Sequence, residues 1–521
     1  MFPAPIHRNL YLISVYGLLF GIMLGRAPGS WPVIALGANW LLEGGFKVKW
    51  DLLRKNIPAI SYLSLFFMPL VGLLYTSDFE WANNLIRINL PLLAVPLVIF
   101  TSAPLSQKEF RSLLAIFLLG CFLDLAWCHV YAFMHGSQQS REVSRFMSHI
   151  RLGLFINMAI AVTVYFFMGL KPFFHRIAAI TLLLFFVGSL FSLGLASGVV
   201  LFTLQLLVGF IWYLRRRSRL WLLAGVSMLF LSLGFGLHYL YSITEQQLTV
   251  RRSDYNVPHR FNQKGRPLIH FDTAGHVENG NYVFSNLELE DLQNGWNARM
   301  PQDSFSIKAN HNLKRYYVLI RYLASCGYTK DTEGIAMLKE SDLENIHQGI
   351  TNAMYPGWGY LHKRLYELIN EYQDLKNKGE SNGHSFTMRV YYWKATIKII
   401  KRHPFFGVGT GDSQAELEKI YASDFPSLNH EWYRRPHNQY LSIALAFGLC
   451  GLIIFLWAIL YPAWLLRKYL HPLFWIYFVL LLISFLAEDT LESQAGMAFF
   501  VFFGVIFYTE ALIKKLQTPV G

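Results

Sequence analysis

Charge is scarce in this sequence and cysteine scarcer. Asp, Glu, Lys and Arg make up 15% of its 521 residues, against 54% hydrophobic and 16% aromatic. A soluble chain of this length carries about a quarter of its residues charged, so an ordinary two-domain soluble protein is excluded and a bilayer is the expected solvent. The four cysteines, Cys121, Cys128, Cys326 and Cys450, are scattered, three of them inside apolar runs, which rules out a disulfide framework and a cysteine metal site. No small-residue cleavage site follows the first apolar run, so that run reads as a retained helix rather than a removed leader.

What is present is apolar length. Long apolar runs fill residues 10–242 and 437–514, while residues 243–436 have ordinary polar composition. A helix needs about 20 mostly apolar residues to cross the hydrocarbon core. Twelve spans are expected, near 10–25, 30–45, 58–75, 88–103, 112–134, 150–169, 176–193, 195–213, 220–242, 437–462, 470–487 and 495–514. The fold class is therefore an all-α polytopic membrane protein. Its parts are an N-terminal membrane region (1–242) of about nine helices, a large, mostly helical polar domain (243–436), and a C-terminal membrane region (437–521) of about three.

The formal charge of +13 would suggest nucleic acid in a soluble protein. Here the cations fall in alternate short loops: Lys47, Lys49, Arg54 and Lys55; Lys108 and Arg111; Lys171 and Arg176; Arg215–Arg219; Arg467 and Lys468; Lys514 and Lys515. The other connections hold the link at Arg26, Asp78 with Glu80, the 136–149 loop, the 243–436 domain and Glu488–Glu492. Positive loops stay in the cytoplasm. Both termini are then expected inside and the large domain outside, in a bacterium on the periplasmic face of the inner membrane, with no nucleic-acid partner. That face has neither ATP nor nucleotide sugars, so a reaction there needs a membrane-carried activated donor.

Four cationic side chains fall near span ends on that outer side: Arg87, Arg151, Arg389 and His437. Ionisable groups at a membrane boundary are costly unless they snorkel or are paired, which makes each a functional candidate, with lipid anchoring as the plain alternative for Arg87 and Arg151. Ala444, Gly448 and Gly451 fall within roughly 40° of His437 on a helix, a stripe of small residues that would admit a neighbouring helix or a lipid chain. Residues 386–402 form an expected amphipathic helix with Lys394, Lys398, Lys401 and Arg402 on one side and Trp393, Ile397 and Ile400 on another, suited to a membrane surface. It stops at Pro404. The GVGTG run that follows has no preceding strand, so it reads as a tight glycine turn close to a neighbour rather than a nucleotide loop.

These residues resemble the O-antigen ligase family, the WaaL-type members of the ligase/polymerase superfamily. The family signature of His, then Asn, Ser or Gln, nine residues, Gly, two residues, and Gly, Thr or Tyr is met by His437, Asn438, Gly448 and Gly451. A second pattern is met by Arg389, Trp393, Pro404, Gly407 and Gly409, and a third by Arg87 ahead of a Leu/Pro-rich helix. One departure is Ala196-Ser197-Gly198, where many members carry Ser-Arg-Gly.

The resemblance implies glycosyl transfer from an undecaprenyl-diphosphate-linked glycan to lipid A-core. His437 and Arg389 would be catalytic, and Arg87, Arg151 and Arg389 would bind the lipid diphosphate. No paired carboxylates or metal-ligand cluster point to a hydrolase or a metal-dependent transferase, so metal independence and no cofactor are expected. Guanidinium groups suit a departing diphosphate, and a histidine suits the proton of a sugar hydroxyl. The competing classes are a Wzy-type polymerase, a protein O-oligosaccharyltransferase and, outside enzymes, a transporter. Ionisable residues are scarce in mid-span, apart from Asp124 and His129, which disfavours transport. For the polar domain the expected role is acceptor docking.

Overall fold

The computed structural model describes residues 4–135, 143–215, 219–250, 256–257, 260–261, 265–270, 276–378, 382–383 and 385–518. Of the segments singled out above, residues 216–218 of the basic run, 136–142, and parts of the 243–436 domain lie outside the described residues.

A segment crossing lipid must satisfy its backbone internally, and the helix does this. The helices in order are α1 (Ala4–Met23), α2 (Arg26–Glu43), α3 (Phe46–Leu53), α4 (Ile57–Gly72), α5 (Phe79–Ile99), α6 (Gln107–His135), α7 (His149–Gly169), α8 (Phe173–Ser192), α9 (Ala196–Arg215) and α10 (Arg219–Leu248). After a two-stranded hairpin, β1 (Val277–Glu278) and β2 (Asn281–Tyr282), come α11 (Leu289–Arg299), α12 (Leu313–Cys326), α13 (Thr332–Ala336), α14 (Glu340–His347), α15 (Tyr360–Lys378), α16 (Ser385–Arg402) and α17 (Ser413–Asp424). The last three are α18 (Gln439–Leu465), α19 (Pro472–Ala487) and α20 (Gln494–Gln517).

The protein is an all-α polytopic membrane protein. Among the described residues eight helices are long and apolar enough to cross a bilayer, namely α1, α4 with the turn after it, α5, α6, α7, α8, α18 and α20. Two more, α9 over Ala196–Ile211 and α19, are shorter apolar helices. With α2 and α10, each of the twelve expected spans coincides with a helix. The fourth span differs most from expectation. It starts at Phe79 rather than near residue 88, because the Asp78 carboxylate caps it by accepting from Trp81 N at 2.9 Å. Arg87 therefore lies within the helix, not ahead of it.

The chain divides into two compact units: one of residues 1–213, 391–426 and 433–521, the other of residues 214–390 and 427–432. The first is held by aromatic packing rather than polar contacts. Along α20, Phe499, Phe503 and Phe507 form a ladder, with Phe117, Phe155 and Tyr477 against it at ring separations of 4.9 to 6.2 Å. Lipid supplies no hydrophobic drive between helices, so close dispersion contact carries this packing. Gly153 of α7 meets Gly198 of α9 backbone to backbone, and a methyl at Gly153 would lie 2.8 Å from Gly198 Cα. Asn157 Nδ2 donates to both carbonyls, at 2.7 and 2.9 Å. Ser197, where the family pattern has arginine, borders that contact two residues along from Arg151. Of the mid-span ionisable residues, His129 Nε2 meets Ser189 Oγ at 2.9 Å, and Asp124 is buried beside Cys128.

The second unit has its own core of Val283, Leu287, Leu292, Trp296, Phe305, Leu319, Leu323 and Ile346. The amphipathic α12 turns Tyr316, Leu319, Ile320 and Leu323 inward and ends at Gly327 in the left-handed region (φ 73°). Beside this core lies a buried polar network. Glu278, fully buried, takes hydrogen bonds from Arg321, from Tyr366 at 2.8 Å and from Asn352 at 3.0 Å. Burial acts to raise its pKa, but the Arg321 charge and the hydrogen bonds hold it below the usual carboxylate range. Lys330 is also fully buried, donating to the carbonyls of Tyr282 and Ser285 at 3.0 and 2.6 Å.

Candidate active site at the His437 turn

The approach to His437 is fixed by donors from two helices. Trp393 Nε1 of α16 donates to the Pro436 carbonyl at 2.9 Å, and Tyr421 of α17 donates to that of Arg434 at 2.7 Å. His437 itself has φ 51°, a left-handed conformation that costs a non-glycine residue about 1–2 kcal/mol. The Asp489 carboxylate repays this by bracketing two successive amides, accepting from His437 N and Asn438 N at 3.0 Å each, and from Ser442 Oγ at 2.6 Å. Consecutive amides around a left-handed residue form an anion cradle, and a buried carboxylate of the chain fills it.

Asn438 then begins α18 as its N-cap, accepting from Leu441 N at 3.1 Å, while its amide donates to the Leu486 carbonyl at 3.1 Å. Gln439 accepts from Leu491 N at 2.7 Å. The segment 486–491 is thereby stapled to the first turn of α18, which brings Glu488 to the histidine: Nδ1 of His437 lies 3.4 Å from Glu488 Oε1. Glu488 also faces Arg151, at 3.9 Å from its guanidinium, and Arg151 donates to Ser148 Oγ at 3.0 Å. The ring of Tyr392 stands 5.9 Å from that of His437. His437 Nδ1 is buried and makes no hydrogen bond, so Glu488 stands beside it at ion-pair distance only.

The two glycine patterns are the halves of one joint. At Gly448 (φ 65°, ψ −166°) α18 is broken, and the chain after α16 crosses it. Leu449 N and Cys450 N donate to the carbonyls of Pro404 and Phe405 at 2.8 and 3.2 Å, while Val408 N and Gly409 N donate to those of Leu445 and Ala446 at 3.0 and 2.9 Å. Backbone lies on backbone. A methyl at Gly448 would fall 2.2 Å from the Phe405 carbonyl carbon, and one at Gly407 2.5 Å from that of Ala446. The tight glycine turn expected at 407–409 is present. The neighbour across Gly448 is this loop, however, where the sequence suggested a helix or a lipid chain. Gly451 meets Phe447 and Met68 instead. The loop is tied further by Thr410 Oγ1 donating to Pro69 O at 2.6 Å and by Asp412 accepting from Ser77 N and Asp78 N.

The structure thus brings together His437, Asn438, Trp393 and Arg151, with Gly407, Gly409, Gly448 and Gly451 shaping the joint. Arg87 is exposed on α5, one turn before Pro91, which borders a cavity of about 340 Å3 that Arg145, Ser148, Arg151, Ser493 and Gln494 also line. Arg389 is half-buried on the part of α16 that belongs to the second unit. The apolar side expected of α16 for a membrane surface is exposed at Trp393 and Ile397. Tyr392, Ala395, Thr396 and Ile399 form the face turned into the protein, and Trp393 donates its indole N–H to the Pro436 carbonyl. Lys398 pairs with Asp424 at 2.5 Å.

Sequence reading missed Glu488, Asp489, Glu492 and Arg435. Glu488 and Asp489 are neighbours in sequence but face different partners, Glu488 the His437 ring and Arg151, Asp489 the amides of the turn. Glu488–Glu492 was taken only as the mark of an outer loop, although a Glu-Asp pair closing an apolar helix is itself an unusual signal. Arg435 pairs with Glu492 and lies over the Trp81 ring at 4.9 Å. Among the described residues no three His, Cys, Asp or Glu side chains gather as a metal-binding group.

No curated protein matches the chain. Residues 349–456 match the O-antigen ligase family, a stretch that contains Arg389, Trp393, the 404–409 loop, His437 and the break at Gly448. That match supports the O-antigen ligase superfamily for this chain and suggests a membrane glycosyl-transferring enzyme.

Proposed function

We propose that this enzyme transfers a glycan from undecaprenyl diphosphate to lipid A-core on the periplasmic face of the inner membrane, by a metal-independent, inverting displacement. The observation that carries the reading is the His437 turn. A histidine is held in a left-handed backbone by Asp489, with the Glu488 carboxylate 3.4 Å from its Nδ1, and its Nε2 is assigned the chemistry. In the proposed step Nε2 takes the proton of the acceptor hydroxyl as its oxygen bonds to the anomeric carbon. The bond from that carbon to the diphosphate breaks, and its electron pair leaves with the lipid diphosphate. Fixed guanidinium groups answer the charge that develops there, and Arg151, Arg389 and Arg87 are assigned that part. The alternation of basic loops supports the periplasmic side.

The test is complementation of a ligase-deficient strain, together with transfer by the purified enzyme in EDTA. His437→Ala at normal expression should leave lipid-linked polymer unattached, and wild-type activity should survive EDTA. Glycan attached at the normal level by His437→Ala would overturn the assignment. Loss of the wild-type chain that left single repeats attached would make it a polymerase instead.

A further inference from the structure

The second unit brings its own membrane helix, since α10, the ninth expected span, belongs to it together with the hairpin and α11–α15. Every described side chain from Leu220 to Ser242 is exposed, Phe235, Leu237 and Tyr241 by more than half. Burial then sets in abruptly. Ile243 and Gln247 are 3% and 1% exposed, and Gln247 accepts from Asn279 N, at the turn of the hairpin, at 3.4 Å. At the helical rise per residue the exposed stretch is about 33 Å long, against about 30 Å for a hydrocarbon core. The helix is thus a ruler: lipid lies along its exposed length, folded protein begins at Ile243, and the edge of the hydrocarbon falls near Tyr239–Ser242. From that level an aromatic array runs into the folded part. Tyr239 Oη lies 3.3 Å from His362 Nδ1 of α15, Trp358 is stacked on the His362 ring at 4.3 Å, and Tyr355 stands 6.0 Å from Trp358. The Lys363 ammonium lies over the Tyr355 ring at 4.9 Å. Around these rings Met354, Pro356, Gly357 and Gly359 are exposed.

We propose that the face of the second unit formed by Met354–Lys363 rests on the phospholipid headgroups, with Met354 and the Trp358 turn against the acyl boundary and Lys363 among the phosphates. The occupant is the bilayer itself, because this face continues, at the same height, a surface that α10 already gives to lipid. Its side chains fit: tryptophan and tyrosine have an apolar body and a polar edge and collect at the membrane–water boundary, where a lysine can extend its ammonium to the headgroups. Sugars also stack on such rings, but one face of Trp358 is covered by His362 and one face of Tyr355 by Lys363. The polar unit is then laid on the membrane at two points, the end of α10 and this turn, instead of hanging from one helix, and it meets lipid-borne molecules at headgroup height.

The test uses the full chain in nanodiscs of phosphatidylethanolamine and phosphatidylglycerol, with single nitroxide labels in a background whose four native cysteines are replaced by serine or alanine. Gly357→Cys and Gly359→Cys flank Trp358, and an added Cβ at either meets nothing within 4 Å. Leu231→Cys and Tyr241→Cys supply the mid-span and boundary references. Accessibility to oxygen, which concentrates in the bilayer, is read against accessibility to a water-soluble nickel chelate. Labels at Gly357 and Gly359 should report the depth of the Tyr241 label, well short of the Leu231 label, and should be much less open to nickel than a free nitroxide in buffer. Met354→Glu combined with Lys363→Glu puts two negative charges into that layer and should shift both labels towards water, while Met354→Leu with Lys363→Arg should leave them in place. Labels as open to nickel as the free nitroxide would overturn the proposal, as would labels that keep their depth in the doubly acidic variant. Protection that appeared only on adding a soluble oligosaccharide released from lipopolysaccharide would also overturn it and give the rings to a sugar. Each of these outcomes leaves the transfer reading untouched.

Discussion

Replacing Gly448 by alanine should undo the joint between α18 and the 404–409 loop. The new methyl would sit 2.2 Å from both the carbonyl carbon and the oxygen of Phe405 and 2.5 Å from Phe406 N. Ordinary contact begins more than 1 Å farther out, and the obstructing atoms are main chain, which cannot rotate away. The backbone angles, φ 65° and ψ −166°, lie in a region open almost only to glycine, so strain adds about 1–3 kcal/mol. If the loop retreats, the four backbone hydrogen bonds that cross the joint are lost, at about 1 kcal/mol each. The total is about 5–7 kcal/mol, a large share of the stability of a typical domain. The assay is the fraction of monodisperse protein left after heating in detergent. Gly188→Ala is the control, since an added methyl there meets nothing within 4 Å and helix propensity favours alanine by about 1 kcal/mol. Gly448→Ala should melt well below wild type and Gly188→Ala at or above it. Coincident melting of the two variants would refute the joint.

Asp489→Asn keeps the shape but leaves one acceptor oxygen where three donors converge, so His437 loses its fixed placement; kcat should fall about ten- to a hundredfold with little change in melting, and an undiminished rate would remove Asp489 from the site. Lys330 has its pKa lowered by burial from the usual 10.5 to about 7, so between those values the unfolded chain holds a proton the folded chain lacks, and stability rises with pH by up to about 1.4 kcal/mol per unit. Lys330→Met has no such term. Wild type should therefore gain on the variant as pH goes from 6.5 to 9, and parallel melting curves across that range would contradict the assignment.

The membrane helices were legible because lipid enforces one backbone solution and apolar length reports it directly. The exception, α5, came from a single capping carboxylate at Asp78, which moved the helix start to Phe79. His437 and Asn438 were legible as a motif, but their mechanical roles were not. A left-handed histidine leaves no trace in composition, and the carboxylate that holds it stands 52 residues later in the chain. The glycines were read correctly as sites of close approach at 407–409 and with the wrong neighbour at 448, since one-dimensional spacing says that something approaches without saying what. Arg435 carries no signal of its own in the sequence, since two arginines before an apolar helix look like an ordinary anchor. Its ring partner Trp81 and its carboxylate Glu492 come from distant parts of the chain.

The joint at Gly448 also bears on how relatives of this enzyme can be recombined. Its two halves, Pro404–Gly409 and Leu445–Cys450, meet through main-chain atoms alone at four hydrogen bonds, so neither half can adapt to a foreign partner by changing a side chain. They form one module, although some 35 residues, including all of α17, separate them. A chimera that imports the histidine helix without the turn that crosses it receives half a hinge, and specificity should be swapped between relatives only in pieces that carry both.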